Sequence, residues 1–149
     1  MKRAVRFLMA IFPVVLLCWL VPDAASASDA PKDKDRVVVM YFHRTQRCPT
    51  CLKMGAYTEE AVKSGFAREV KEGKVSFHFI DFQDEKNAAF TKAYGITGPT
   101  LIVAKASGTK VSQYKNLDEM WTKVRDKADF TRYVQNSVKS YLKQATAKR

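Results

Sequence analysis

The chain has little of what marks the most easily recognised protein classes. Its 149 residues include only three cysteines, six glycines and five prolines. Three cysteines are too few for a disulfide-dense miniprotein, and so little glycine and proline excludes a collagen-like or low-complexity chain. We find no repeat of roughly 20 to 50 residues that would indicate a solenoid. A single small globular domain is therefore expected, because 46% of the residues are hydrophobic and can supply one core.

Motifs for several kinds of chemistry are also missing. The sequence has no glycine-rich phosphate loop, no Ser-His-Asp order and no carboxylate pair suited to general acid–base work. Its formal net charge is +11, but the lysines are scattered between acidic residues and no basic block alternates with aromatics. These features favour a solvated surface over a nucleic-acid site, so no nucleic-acid partner is expected.

The N-terminal segment has the pattern of an export signal. Three basic residues among the first six precede residues 7–21, an uncharged and mostly apolar run. That run is shorter than the roughly 20 residues needed to span a membrane. Ala25-Ser26-Ala27 then fits the small-x-small pattern of a cleavage site. We expect residues 1–27 to be a signal peptide cut after Ala27, with an uncleaved membrane anchor as the alternative.

Cleavage there would leave a chain with one cysteine pair. It removes Cys18 and keeps Cys48 and Cys51, and disulfides persist in compartments outside the cytosol. A periplasmic or secreted protein is therefore expected, with no stable membrane insertion after cleavage. Residues 28–35 are polar and contain a proline, so they are expected to form a flexible leader.

The remaining chain alternates between strand-like and helix-like segments. Strands are expected at residues 37–42, 75–81, 100–104 and 110–114, and helices at 49–63, 66–72, 84–94, 117–124 and about 130–142. This order predicts an α/β layered domain over residues 36–144, with a frayed tail at 145–149. Trp121 and the stripe Phe130, Tyr133 and Tyr141 are expected in the core.

A C-P-T-C motif at residues 48–51 lies between a buried strand and a helix start. Two residues between the cysteines let both thiols sit on the first helical turn, close enough to form a disulfide. Unpaired N–H groups and the positive end of the helix dipole meet at the first thiol, which stabilises a thiolate and lowers its pKa. Arg47 and Arg44 act in the same direction. Cys48 is therefore the predicted nucleophile, and Cys51 the thiol that resolves a mixed disulfide.

Two other uses of these thiols are open. A bridge across two residues closes a very small loop and stabilises a fold little, which weakens the case for a purely structural disulfide. A structural zinc site normally needs four ligands, and only His43 and His78 could join the thiols. Two thiolates alone could still hold Cu(I), a soft ion. An exported soft-metal binding protein is thus the alternative function.

The strand, the C-P-T-C motif, the helix and the later run YGITGPTL at residues 94–101 together resemble the thioredoxin superfamily. The resemblance covers about residues 36–142. It implies a thioredoxin-like α/β fold, with a central mixed four-stranded sheet flanked by helices on both faces. It also implies that Pro99 is cis, faces the active disulfide and, together with Gly98, positions an extended substrate segment. No bound cofactor is implied, because the dithiol is itself the redox group.

Three departures separate the chain from thioredoxin itself. The motif is C-P-T-C instead of C-G-P-C, with Arg47 in place of the preceding Trp, and the segment before Pro99 is one residue shorter. The buried Asp that assists the resolving thiol in the family falls on Phe42. His43 is the nearest titratable side chain, either as a proton acceptor for Cys51 or as a loop histidine at the strand end.

The sequence as a whole predicts an exported thiol–disulfide oxidoreductase that acts on protein or small thiol substrates. Its partners would be protein thiols or disulfides, or a redox partner protein. The direction of electron flow does not follow from the sequence.

Overall fold

The computed structural model describes residues 35–146, and the side chains of residues 35–145. The described residues form a mixed α/β domain with four strands and five α-helices. The strands are β1 (Asp35–His43), β2 (Val75–Asp81), β3 (Thr100–Ser107) and β4 (Lys110–Asn116). The helices are α1 (Pro49–Gly65), α2 (Ala67–Lys71), α3 (Ala88–Ala93), α4 (Met120–Lys123) and α5 (Lys127–Thr146). The predicted signal peptide, its cleavage site and most of the predicted leader lie outside the described residues.

The four strands form one mixed sheet in the order β2-β1-β3-β4. Strand β1 pairs parallel to β2 and antiparallel to β3, and β3 pairs antiparallel to β4. The continuous apolar run predicted as a central strand is therefore confirmed, since Val37, Val39, Tyr41 and Phe42 have no exposed surface. A run without polar alternation is typical of a strand that is covered on both faces.

The larger core lies between one face of the sheet and helices α1, α4 and α5. Strand positions Val37, Val39 and Tyr41 contribute to this face together with residues of β2 and β3. The core position predicted for the stripe of the last helix is confirmed for Phe130 and Tyr141, whereas Tyr133 is only partly buried against this core. Val134 and Val138 are buried beside Phe130 and Tyr141. Spacings of three and four residues place these four side chains on one side of α5.

The opposite face of the sheet has a smaller core with a thinner cover. Its buried residues are Met40, Phe42, Ile96, Ile102 and Ala104. The chain just after α3 supplies Ile96, whereas α3 itself contains no buried residue. Of the described helices, the long ones therefore lie on one face only, and a loop with one short helix lies on the other.

The helix predicted at residues 84–94 is shorter than expected. The Asp84 carboxylate accepts a hydrogen bond from the Lys86 N–H at 3.1 Å, which starts a 3₁₀ turn at Glu85–Asn87. Helix α3 then spans only Ala88–Ala93 and ends before Gly95, whose φ of +61° suits glycine. A side chain that caps a local turn competes with regular helix, and here it does so at the helix start.

The core position expected for Trp121 is wrong. Its side chain is 46% exposed, while the neighbouring Met120 is buried. Helix α4 is a single turn, Met120–Lys123, so only one of two adjacent residues can face the core, and the methionine takes that place.

The end of α5 lies two residues beyond the predicted domain boundary. Ala145 is buried, and Lys105 fixes this end of the helix through two contacts. The Lys105 Nζ donates to the Gln144 carbonyl at 3.2 Å and pairs with the Asp35 carboxylate at 2.9 Å. A lysine that binds a carbonyl of the last turn stabilises a helix C-terminus. None of the helices within residues 35–146 is both long and apolar enough to cross a membrane.

Removal of a core side chain should test this packing. Leu101 on β3 is fully buried, whereas Leu52 on α1 is 49% exposed. We expect Leu101→Ala to lower the free energy of unfolding by about 2–5 kcal/mol, and Leu52→Ala by less than about 1 kcal/mol. Urea titration of both variants measures the difference, and equal losses would contradict the position of the core.

Candidate active site at the start of helix α1

The backbone turns from loop to helix at Cys48. This residue is the N-cap of α1, with φ −71° and ψ 160°, and Pro49 follows at the first helical position. Proline suits that position because its missing N–H would have no partner there. The Cys48 Sγ accepts a hydrogen bond from the Cys51 N–H at 3.2 Å. A sulfur thus occupies the place where a Ser or Asp oxygen usually caps a helix.

The two cysteines pair with each other but differ in exposure. Cys48 and Cys51 form a disulfide with their Cα atoms 5.1 Å apart. Cys48 is exposed, as are Pro49 and Thr50, whereas Cys51 is 7% exposed. An attacking or attacked sulfur must be reached by a second molecule, and only Cys48 offers that access.

A buried tyrosine holds the first turn of α1 from below. The Tyr41 hydroxyl donates a hydrogen bond to the Cys51 carbonyl at 2.9 Å. Burial raises the pKa of Tyr41 to about 12, against the opposing effect of the nearby Arg47 charge. The phenol therefore stays protonated and remains a donor over the whole neutral range. Tyr41 was absent from the candidates drawn from sequence, because within an apolar run it is indistinguishable from a core residue.

Gly55 allows Tyr41 and Phe79 to approach the helix closely. A Cβ at this position would lie 2.8 Å from Cε1 of Phe79 and 3.2 Å from Cε1 of Tyr41. The two rings pack edge to face with centroids 6.2 Å apart. A larger residue one turn after Cys51 would therefore force the Phe79 ring or the helix to shift.

The two candidates for pKa tuning lie on the β2 side of this cluster. The Arg47 guanidinium stands 5.5 Å from the centroid of the Phe79 ring, a cation–π contact. The His43 imidazole packs near the same ring, at 6.0 Å, and its Nδ1 lies 2.9 Å from the Arg44 carbonyl oxygen. This contact is one that a histidine at a strand end makes. The Tyr41 hydroxyl hydrogen-bonds to the Cys51 carbonyl, not to the Cys51 sulfur.

Two further polar residues, His78 and Asp81, lie on β2. His78 pairs in register with Met40, whose side chain belongs to the core of the opposite sheet face. The Asp81 carboxylate accepts the Gln83 N–H at 3.0 Å, a turn contact that holds the pKa of Asp81 below the usual value. Within residues 35–146, no three His, Cys, Asp or Glu side chains are grouped so as to hold a metal ion.

The prediction that Pro99 is cis is wrong. The Gly98–Pro99 peptide bond is trans, which is the isomer favoured by about 0.5–1 kcal/mol before any tertiary contact acts. The Gly98 carbonyl accepts a hydrogen bond from the Thr100 hydroxyl at 2.9 Å, a local contact made in this trans loop.

Pro99 lies directly before β3, as the sequence predicts. Thr100 pairs with Phe42, so Gly98 and Pro99 come just before β3, at the end of the sheet where β1 finishes. The loop from His43 to Cys48 begins at that same end, and Pro49 and Pro99 therefore lie at the same end of the sheet.

Comparisons with known proteins add little to this geometry. No protein-family model matches the chain, and no curated protein matches it. One solved structure, described as that of a malarial protein, is 19% identical and covers 59% of this chain and 96% of its own, with a TM-score of 0.38. A likeness that weak supports no functional argument.

Removal of the Tyr41 hydroxyl should loosen the cysteine turn. Tyr41→Phe keeps the ring but takes away the donor to the Cys51 carbonyl, so we expect the free energy of unfolding to fall by about 1 kcal/mol. Tyr141→Phe is the matched control, because Tyr141 is also buried but is a core residue of α5 away from the cysteines. Chemical denaturation measures both. Equal effects of the two substitutions would show that the Tyr41 hydroxyl has no special role.

Proposed function

We propose that this chain is an exported thiol–disulfide oxidoreductase with a thioredoxin-like fold. The observation that carries the proposal is the asymmetry of the pair at the start of α1. Cys48 is exposed and its sulfur accepts the Cys51 N–H, while Cys51 is buried in the first turn of the helix. A sulfur in that position is stabilised as a thiolate by the helix N-terminus, and so it is both a nucleophile and a good leaving group.

The proposed reaction is a two-step exchange. In the reduced protein the Cys48 thiolate attacks one sulfur of a substrate disulfide, which forms a mixed disulfide and releases the other substrate sulfur as a thiolate. The Cys51 thiol then loses its proton to solvent and attacks the Cys48 sulfur. This step closes the Cys48–Cys51 disulfide and releases the second substrate thiol. The substrate disulfide gains two electrons and the protein dithiol loses them; the reverse sequence oxidises a substrate dithiol.

The fold supports the thioredoxin-like part of the proposal at the level of topology. Strand β1 lies inside a mixed four-stranded sheet. The loop that carries the cysteines follows β1 and so lies at the same end of the sheet as the start of β3. We propose that Gly98 and Pro99, just before β3, flank the site and that an extended substrate segment pairs with the backbone at Gly98. The Gly98–Pro99 bond is trans, so the proposed substrate-positioning role of Pro99 rests on its place at this end of the sheet. Export rests on the sequence pattern of residues 1–27.

Alkylation tests the assigned roles of the two cysteines. In reduced protein carrying Cys18→Ser, which leaves only the pair, iodoacetamide at neutral pH should modify Cys48 at least about tenfold faster than Cys51, because a thiolate is the reactive form. Peptide mapping by mass spectrometry gives both rates. Equal rates, or faster labelling of Cys51, would contradict the roles. Cys51→Ser in the same background should accumulate mixed disulfides through Cys48, whereas Cys48→Ser should not.

The soft-metal alternative uses the same two thiols and has its own test. The Gly98–Pro99 peptide bond is trans, not cis as the resemblance implied, and this difference keeps the metal-binding alternative. The reduced protein would be mixed with Cu(I) under anaerobic conditions in the presence of a competing chelator. For an oxidoreductase we expect no stoichiometric copper after desalting. One tightly held Cu(I) per chain, together with no disulfide exchange, would replace the proposed function with a metal carrier.

A further inference from the structure

We propose that the surface around the disulfide selects protein segments in which acidic residues flank the reacting cysteine. This inference rests on the proposed function and adds a substrate class to it. The surface, called here the basic rim, consists of Arg44, Arg47 and Lys53 with the exposed apolar side chains of Leu52 and Phe79. All three cations are exposed, and they lie within five residues of one of the two cysteines.

Within the described part of the chain, no carboxylate pairs with the cations of the basic rim. Among residues 35–146, none of its three cations forms an ion pair with a carboxylate. The first turn of α1 contains no acidic residue. The acids of this helix come later and are already paired, Glu59 with Lys63 and Glu60 with Lys127. Beyond the ion pairs of residues 35–146, these cations are open to the negative charge of a binding partner.

Two acids near the end of β2, Asp81 and Asp84, form no ion pair with the rim. The Asp81 carboxylate is taken up by the Gln83 N–H of its own turn. Asp84 pairs with Lys86 at 2.7 Å and also accepts the Lys86 N–H. Both carboxylates serve their local turns, and neither forms an ion pair with Arg44 or Arg47 in the described structure.

The basic rim also includes two exposed apolar side chains that a binding partner can contact. Phe79 is 41% exposed although its ring packs against that of the buried Tyr41, and Leu52 is 49% exposed. The Arg47 guanidinium lies over the Phe79 ring, which restrains a long flexible cation in one place. A cation held in position loses less entropy when a carboxylate binds it, and so it discriminates better between partners.

An acidic protein segment fits these features best. The disulfide needs a partner that carries sulfur, which lipid headgroups and nucleic acids lack. Along the chain, Arg44 and Arg47 precede the two cysteines and Lys53 follows them, so a segment with charges before and after its cysteine offers a partner to each. Charge complementarity at a rim raises the rate of encounter and the local concentration of a charged partner, and a higher local concentration of the acidic segment raises the second-order rate of exchange.

The test compares three peptides that differ only in charge. Each has one central cysteine joined to 2-thiopyridine, and its flanking positions carry Asp, Asn or Lys. Attack on the peptide sulfur releases 2-thiopyridone, which is followed by its absorbance under single-turnover conditions. The full chain with Cys18→Ser is used in reduced form. At low salt we expect the Asp peptide to react about tenfold faster than the Asn peptide and the Lys peptide to be slowest. At 0.5 M salt, where the screening length is about 4 Å, the ratio should approach one.

Substitutions separate the rim from the overall positive charge of the chain. Arg47→Gln, and separately Arg44→Gln with Lys53→Gln, should each reduce the Asp-to-Asn rate ratio about threefold. Lys139→Gln is the matched control, because it removes one exposed positive charge from α5, far along the chain from the cysteines, and should leave the ratio unchanged. The use of a ratio cancels any change in the reactivity of the Cys48 thiolate.

A neutral small disulfide, 2-hydroxyethyl 2-pyridyl disulfide, distinguishes failure of this inference from failure of the proposed function. If the protein reacts with it but shows the same rate for all three peptides, or if Lys139→Gln lowers the ratio as much as Arg47→Gln does, the inference is overturned and the oxidoreductase remains. If the mixed disulfide of glutathione with 2-thiopyridine, which has the same leaving group, reacts as fast as the Asp peptide, the rim serves a small anionic disulfide and the protein-segment proposal is wrong. No reaction with any disulfide would overturn the proposed function itself.

Discussion

The hydrogen bond from the Cys51 N–H to the Cys48 sulfur is the interaction on which the site depends. A helix leaves its first N–H groups without partners, and something at the N-cap must accept them. In this chain the acceptor is a sulfur, and the bond is 3.2 Å long. The same requirement that ends the loop and begins α1 therefore also places Cys48 at the surface and Cys51 beneath it.

The rest of the domain serves to hold that first turn in place. Tyr41 binds the Cys51 carbonyl from β1, and Phe79 packs against Gly55 from β2. Both strands lie in a sheet whose larger core is closed by α1 and α5. The position of the sulfurs is thus set by contacts with two strands, and a loop alone would not fix it. A fixed, one-sided disulfide is what exchange with a second molecule requires, because the sulfur that is reached and the sulfur that resolves must be different.

Much of this arrangement could be predicted from local sequence, and the failures have local causes. The apolar run of β1, the proline at the start of α1 and the stripe of α5 each leave a pattern within a few residues. The pairing of Tyr41 with Cys51 joins residues ten positions apart and depends on how the loop returns, which no periodicity records. The isomer of Pro99 depends on a difference of about 0.5–1 kcal/mol, small enough for surrounding contacts to decide, and a family resemblance gave the wrong isomer. The isolated exposure of Trp121 follows from α4 being only one turn long.

The reduction potential of the Cys48–Cys51 pair tests the central claim most directly. The protein would be equilibrated with glutathione buffers of graded composition, quenched with acid and alkylated, and its oxidised fraction measured by mass. If the pair is a working exchange site with a stabilised Cys48 thiolate, its potential should lie between about −120 and −270 mV, the range of known dithiol oxidoreductases. A potential below about −300 mV, as structural disulfides have, would show that the pair is a permanent bridge and would contradict the account.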